Sequence, residues 1–259
     1  MTDLMPAIFF GHGNPMNALN RNAYSEAWAS IGGSIPCPKA VLAISAHWYI
    51  AGCAVTANRY PPTIHDFGGF PQELYQVSYN APGSPELCLR VKDLLTPIFV
   101  GLDESWGLDH GTWSVLSHVF PAADIPVVQF SIDRTKAPTF HYEIGKRLAP
   151  LREEGVLIVG SGNIVHNLSA YAWAKPGVKP FDWASRFEKT VQELLLEGED
   201  SELVAYERLG PDSALAVPTP DHYLPLLYVI GLRGKNEYTS FPVQGIDGGS
   251  ISMLAVQIG

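Results

Sequence analysis

Apolar residues gather in short unbroken runs that stop abruptly at glycine or histidine, and these runs alternate with stretches of helical spacing. The first run covers residues 7–10 and stops at Gly11-His12-Gly13, after which Asn14-Pro15 ends regular pairing. The second covers residues 40–46 and stops at His47-Trp48. A third, at 155–160, leads through Ser161-Gly162 to His166, and runs at 54–56, 125–132 and 251–258 have the same strand character. Unbroken apolar character predicts strands covered on both faces, as in a parallel or mixed sheet. Residues 21–31, 84–95, 114–120, 139–151, 182–197 and 219–232 read as helices, one of them opening on the N-cap and proline of Ser84-Pro85. Residues 60–85 form a long loop whose aromatics Phe67, Phe70, Tyr75 and Tyr79 predict an ordered lid over a pocket. The alternation predicts an α/β fold: a single three-layer domain over residues 1–259, with a central mixed or mostly parallel sheet flanked by helices.

Composition narrows the function. Hydrophobic residues make up 46% of the chain and charged residues 17%, enough for a sizeable core. The net charge of −9, with no cluster of lysine and arginine, predicts no nucleic-acid partner. No apolar run approaches the ~20 residues of a membrane helix. Cys37, Cys53 and Cys88 are widely spaced and form no CxxC, so they read as reduced thiols. Residues 1–5 carry neither a basic region nor an apolar core, which predicts a cytoplasmic protein without a signal peptide.

The candidate chemistry is that of histidine. His12, His47 and His166 each follow an apolar strand among small residues, at the sheet edge where open α/β folds hold ligands. Three such cases predict a shared site for a metal or substrate. His222 begins a helix after a proline-restricted turn, from which it can project over the strand ends. His110 lies between Asp109 and Gly111, and Asp109 is the carboxylate expected to orient it. His65 sits in the lid and either caps a substrate or faces solvent, whereas His118 and His141 fall within helices and read as structural. No thiolate zinc signature, dinucleotide loop, P-loop or serine elbow accompanies them.

Six motifs occur in order: Gly11-His12-Gly13-Asn14-Pro15, Ser45-Ala46-His47-Trp48, Asp66-Phe67-Gly68-Gly69-Phe70-Pro71, Asp109-His110-Gly111-Thr112-Trp113, Gly160-Ser161-Gly162-Asn163-Ile164-Val165-His166-Asn167 and Thr219-Pro220-Asp221-His222-Tyr223-Leu224-Pro225-Leu226. Together they resemble the extradiol ring-cleaving dioxygenases of the protocatechuate 4,5-cleaving (type III) superfamily, nearest its 4,5-DOPA extradiol dioxygenase branch. The resemblance covers nearly the whole chain. It implies that His12, His47 and His222 hold one divalent metal ion, with His166 either completing the coordination or acting as the acid–base residue. The wider superfamily has a glutamate as third ligand; here Asp221-His222 takes its place. Four nitrogens suit tetrahedral zinc, so the resemblance implies Zn²⁺ in the protein as isolated, and Fe²⁺ for ring cleavage because zinc has no redox chemistry. It implies a catechol such as DOPA and O₂ as substrates and a semialdehyde of the 4,5-seco-DOPA type as product. In that scheme His166 takes a hydroxyl proton and His110 hydrogen-bonds the substrate or its developing oxyanion. His65, Phe67, Phe70 and Trp48 shape the substrate slot. No membrane partner is expected, and the assembly is a monomer or small homo-oligomer. The alternatives are a zinc-dependent hydrolase, against which the missing HExxH and carboxylate base count, and a non-enzymatic Memo-like metal-binding protein, against which the retained histidines count. No Arg or Lys adjoins the motifs to pair with the DOPA carboxylate, which leaves other catechols open.

Overall fold

In the computed structural model, which describes residues 4–173 and 177–259, eight strands form one mixed sheet. Residues 1–3, part of the stretch read for a signal peptide, lie outside the described residues. With a separate two-stranded pair included, the strands among the described residues are β1 (Ala7–Gly11), β2 (Ala40–Ile50), β3 (Cys53–Thr56), β4 (Val100–Asp103), β5 (Val127–Asp133), β6 (Val156–Gly162), β7 (Thr239–Val243), β8 (Ile246–Asp247), β9 (Ile251–Ser252) and β10 (Ala255–Ile258). The main sheet runs β4-β3-β5-β2-β6-β1-β10-β7, while β8 and β9 pair separately. Its centre, β5-β2-β6-β1, is parallel, and β10 closes it antiparallel to β1. Parallel strands end together at one edge, so β1, β2 and β6 deliver the segments carrying His12, His47 and His166 to one place.

Both faces of this sheet are covered, as the unbroken apolar runs predict. Along β2, Val41 and Ala43 enter the core that contains Trp28 and Trp113. Leu42 and Ile44 enter the opposite core with Phe130, Ile158 and Tyr228. Helices α1 (Ala23–Ser34) and α3 (His110–Val119) supply the first core. The second is supplied by α2 (Pro85–Leu94), α4 (Pro138–Leu148), α5 (Pro150–Glu153), α6 (Asp182–Glu197), α7 (Asp200–Val204), α8 (Ser213–Ala216) and α9 (Leu224–Gly231). The result is the α/β three-layer fold.

Three departures from the sequence reading have physical reasons. Strand β2 continues past His47 to Ile50 instead of ending at residue 46. Ile44 pairs with Phe130 and Tyr49 with Ile132, so residues 45–48 stand opposite the single Ser131. Such an excess makes a bulge, which re-aims side chains without ending the strand. The apolar run at 251–258 is two strands, because β9 pairs with β8 while the Leu254 carbonyl turns to accept from Gly11 N at 3.0 Å. Strands β4 and β7 escaped the pattern because they are the sheet edges: half-exposed Val-Gly-Leu-Asp in one, Pro242 in the other.

One buried acid makes the fold sensitive to pH. Glu188 on α6 is 9% exposed and accepts from the Ser252 hydroxyl, yet burial pushes its pKa up to about 7. The folded chain therefore keeps a proton that the unfolded chain releases near 4.5. The contribution of this one group to stability falls as pH rises from about 4.5 to 7, by on the order of 3 kcal/mol. Glu188→Gln is expected to raise the urea midpoint at pH 8 and leave it near wild type at pH 4.5.

Candidate metal centre

His12 directly follows β1, His47 lies in the β2 bulge, and His222 occupies the turn before α9. Main-chain bonds tie the first and last of these segments to the end of β6. His12 N donates to the Gly162 carbonyl at 3.1 Å, and Asn163 N donates to the His222 carbonyl at 2.9 Å. The glycine that ends β6 permits this approach. A Cβ on Gly162 would stand 2.1 Å from the His222 carbonyl oxygen.

Hydrogen-bond partners define the tautomers. The Ser161 hydroxyl donates to the Gly111 carbonyl at 2.6 Å, so it meets His12 Nδ1, 3.0 Å away, with a lone pair. That nitrogen therefore carries the ring proton. His47 Nδ1 faces Asp66 Oδ2 at 3.2 Å, and His222 Nδ1 donates to Asp221 Oδ2. Burial raises both carboxyls, but for Asp66 the bonds and charge of His110, and for Asp221 those of His222, outweigh it and hold each below the ordinary range. Both are ionised acceptors. All three histidines are thus protonated at Nδ1 and bare at Nε2.

The bare nitrogens converge. His12 Nε2 and His47 Nε2 are 3.1 Å apart, two lone pairs with no proton between them. One ligand atom from each of His12, His47 and His222 lies within 4.8 Å of the others. Two nitrogens bound at about 2.0–2.1 Å to a tetrahedral ion stand roughly 3.3 Å apart, so this set fits a metal ion. Burial above all, and then the surrounding imidazoles, hold His12 and His47 well below the ordinary histidine range. They remain neutral ligands through the physiological range.

His166 lies flat against His222, the ring centroids 3.4 Å apart and the planes 5° from parallel. Its main-chain N–H donates to the Ala216 carbonyl at 2.8 Å. Burial, and then His222, push its pKa down to about 3 against the opposing pull of Asp221. His110 stands on the other side, its ring 3.9 Å from that of His47. It is the first residue of α3, which starts four positions before the helix read from the sequence at 114–120. The expectation that Asp109 orients it does not hold. Asp109 caps α3 through Thr112 N at 3.2 Å and accepts from Ser45 at 2.7 Å and from Gln129. Burial, with Asp66 adding, pushes its pKa up to about 6. The carboxylate on His110 is Asp66, whose Oδ1 accepts from His110 N at 2.9 Å and Nδ1 at 3.0 Å. Sequence spacing gave no sign of this pair, because its members are 44 residues apart.

The histidines form the floor of a cavity of about 200 Å³, walled by Phe67, Phe70, Leu168, Tyr171, Trp173 and Ile251. An apolar cavity of about 150 Å³ accepts benzene, so this one suits a single substituted ring. No lysine or arginine is among its described lining residues. Phe67 lines it; Trp48 and His65 do not. Adjacent strand residues point to opposite faces, so with His47 directed inward, Trp48 stacks on Trp106 at 5.5 Å. His65 is held behind Phe67 by the Val77 carbonyl, 3.0 Å from Nε2. The two remaining histidines are tied into the fold, His118 to the Asn17 carbonyl and His141 to the Tyr228 hydroxyl, each at 2.8 Å.

A family model described as the catalytic LigB subunit of aromatic ring-opening dioxygenase matches residues 16–246. The chain belongs to the LigB family of aromatic ring-opening dioxygenases. The family match includes His47, His110, His166 and His222 and begins just beyond His12. Relatives extend the likeness over the full length. A 4,5-DOPA dioxygenase extradiol of Escherichia coli (strain K12) is 51% identical over 260 residues, 98% of this chain and 95% of that one. One from Beta vulgaris is 40% identical over 257 residues, 96% of this chain and 95% of its own. A crystal structure of an uncharacterized protein from Escherichia coli K12 matches at a TM-score of 0.87 and 45% identity, over 98% of this chain and 100% of that one. LigB dioxygenases depend on a metal, and the converging Nε2 atoms are where this member can hold it. No helix among the described residues is long and apolar enough to cross a membrane.

Proposed function

We propose that this LigB-family enzyme cleaves a catechol such as DOPA outside its two hydroxyls, with O₂ as co-substrate, giving a product of the 4,5-seco-DOPA type. The facing lone pairs of His12 and His47 carry the reading, because their geometry serves a cation rather than a hydrogen bond. His12, His47 and His222 are the proposed ligands, and His166 is the fourth nitrogen of a zinc-loaded protein or the proton acceptor beside an iron-loaded one. Iron(II) supplies the electrons that O₂ activation needs and a Lewis acid for the catechol oxygens; zinc supplies only the second.

The chain's own residues do the rest. Phe67 and Phe70 present ring faces and edges that align a flat substrate and exclude water above the histidines. His166, in the cavity lining and stacked on His222, is placed to accept a proton from a catechol hydroxyl and to return it later. Both atoms of O₂ end in the product, one as the new aldehyde or its hydrate and one in the new carboxylic acid, so no external reductant is consumed. Asp221 holds His222 in place while its neighbour His166 exchanges the proton. A cytoplasmic location fits three free cysteines.

The test is anaerobic removal of metal, reloading with Fe²⁺ or Zn²⁺, and O₂ uptake with DOPA and with simple catechols. Uptake of one O₂ per catechol and a yellow semialdehyde are expected with Fe²⁺ alone. Absence of uptake with every catechol at full Fe²⁺ occupancy overturns the assignment.

A further inference from the structure

Asp66 belongs to the substrate wall by position and to the metal centre by contact. It precedes Phe67, which lines the cavity and packs edge-on against the His110 ring at 5.5 Å. Its side chain is 16% exposed and serves two histidines at once. Oδ2 lies 3.2 Å from His47 Nδ1, and Oδ1 accepts from His110 Nδ1 at 3.0 Å and His110 N at 2.9 Å. An ionised carboxylate has only lone pairs to offer, so both rings carry their proton at Nδ1. His47 then turns a bare Nε2 toward the metal position. With Nδ1 committed to Asp66, the neutral His110 ring offers a bare Nε2 to the cavity it lines, an acceptor for a substrate hydroxyl and so one of the hydrogen-bonding roles the family resemblance leaves open.

We propose that Asp66 is a positioning residue that sets the tautomers of His47 and His110 together. One loop then places the metal ligand, the hydroxyl acceptor and the Phe67 wall. The hydroxyl half rests on the dioxygenase reading; the metal half does not. An amide at position 66 would accept from one Nδ1–H only, and its NH₂ would present a donor to the other ring. One of the two arms would be lost.

The experiment compares Asp66→Asn, Asp66→Glu and His110→Gln in the full chain with wild type. Zn²⁺ affinity is read by competition with a chromophoric chelator. The ionisation of 4-nitrocatechol is read from its absorption after anaerobic addition to the metal-loaded protein. Asp66→Asn is expected to lose about 10–100-fold in Zn²⁺ affinity, the usual cost of removing a partner that orients a ligand. It should also shift bound 4-nitrocatechol toward its less ionised form. His110→Gln is expected to keep the Zn²⁺ affinity and show the same spectral shift, while Asp66→Glu recovers part of both losses. Wild-type Zn²⁺ affinity in Asp66→Asn overturns the proposal, whether or not a catechol binds. An unchanged spectrum in His110→Gln overturns its hydroxyl half. Failure of 4-nitrocatechol to bind metal-loaded wild type overturns the dioxygenase reading together with that half, and the Zn²⁺ measurement still decides the rest.

Discussion

Replacing His12 by alanine is expected to empty the metal centre and end ring cleavage. The proposed ligands are neutral imidazoles, so affinity rests on their number and placement rather than on ligand charge. With His12 gone, the lone pair facing His47 Nε2 at 3.1 Å disappears, and two of the three ligands remain. The loss should exceed the roughly 10–100-fold of an orienting partner, reaching on the order of 1000-fold in kcat/KM, about 4 kcal/mol in the barrier. Metal per chain after dialysis against a weak chelator and O₂ uptake with added Fe²⁺ are the measurements. The fold should persist, because the segment is also held by the His12 N bond to Gly162 and the Asn17 side-chain bond to the His12 carbonyl at 3.2 Å. Wild-type metal content in His12→Ala would remove His12 from the ligand set.

The second large effect comes from a residue without a side chain. In Gly162→Ala the new methyl would lie 2.1 Å from the His222 carbonyl oxygen and 3.0 Å from its carbon. Backbone cannot swing aside as a flexible side chain can. The turn carrying Asp221 and His222 must move, and the Asn163 N bond that anchors it at 2.9 Å must stretch. A destabilisation of about 3 kcal/mol is expected, or a Tm lower by about 6–12 °C for a chain of this size. Zn²⁺ affinity should fall with it, since the displaced turn carries a proposed ligand. Calorimetry on metal-free protein isolates the first effect, and chelator competition the second. A metal-free Tm equal to wild type would show that the turn accommodates the methyl without cost.

The two substitutions probe different sources of the same site. His12 was visible in the chain because the strand before it is unbroken and apolar and the residues after it cannot extend the pairing. The function of Gly162 was not visible, because its neighbour is a carbonyl 60 positions along the chain whose approach no local pattern records. Asp109 and Asp66 show the same division. Asp109 adjoins His110 and was the natural orienting carboxylate by sequence, yet helix α3 starts at His110 and turns Asp109 back to cap it. Asp66 reaches His110 across 44 positions because the loop carrying it folds over the start of that helix.

What the sequence determined by itself is local and periodic. Apolar runs covered on both faces specify strands of a central parallel sheet, helical spacing specifies the layers, and histidines that follow the apolar runs place imidazoles at one edge. These features depend on residues a few positions apart, so they survive in the linear pattern. The tertiary structure alone decided which side chains meet. The bulge that sets four residues of β2 against one of β5 directs His47 inward and sends Trp48 to Trp106. Asp66 and the Ser161 hydroxyl, which accept from His47 and His12 and so hold their ring protons at Nδ1, come from segments brought together by sheet register and loop closure, whereas Asp221 adjoins its histidine in the chain. Register is fixed by the burial of the whole sheet, which no short stretch of the chain contains.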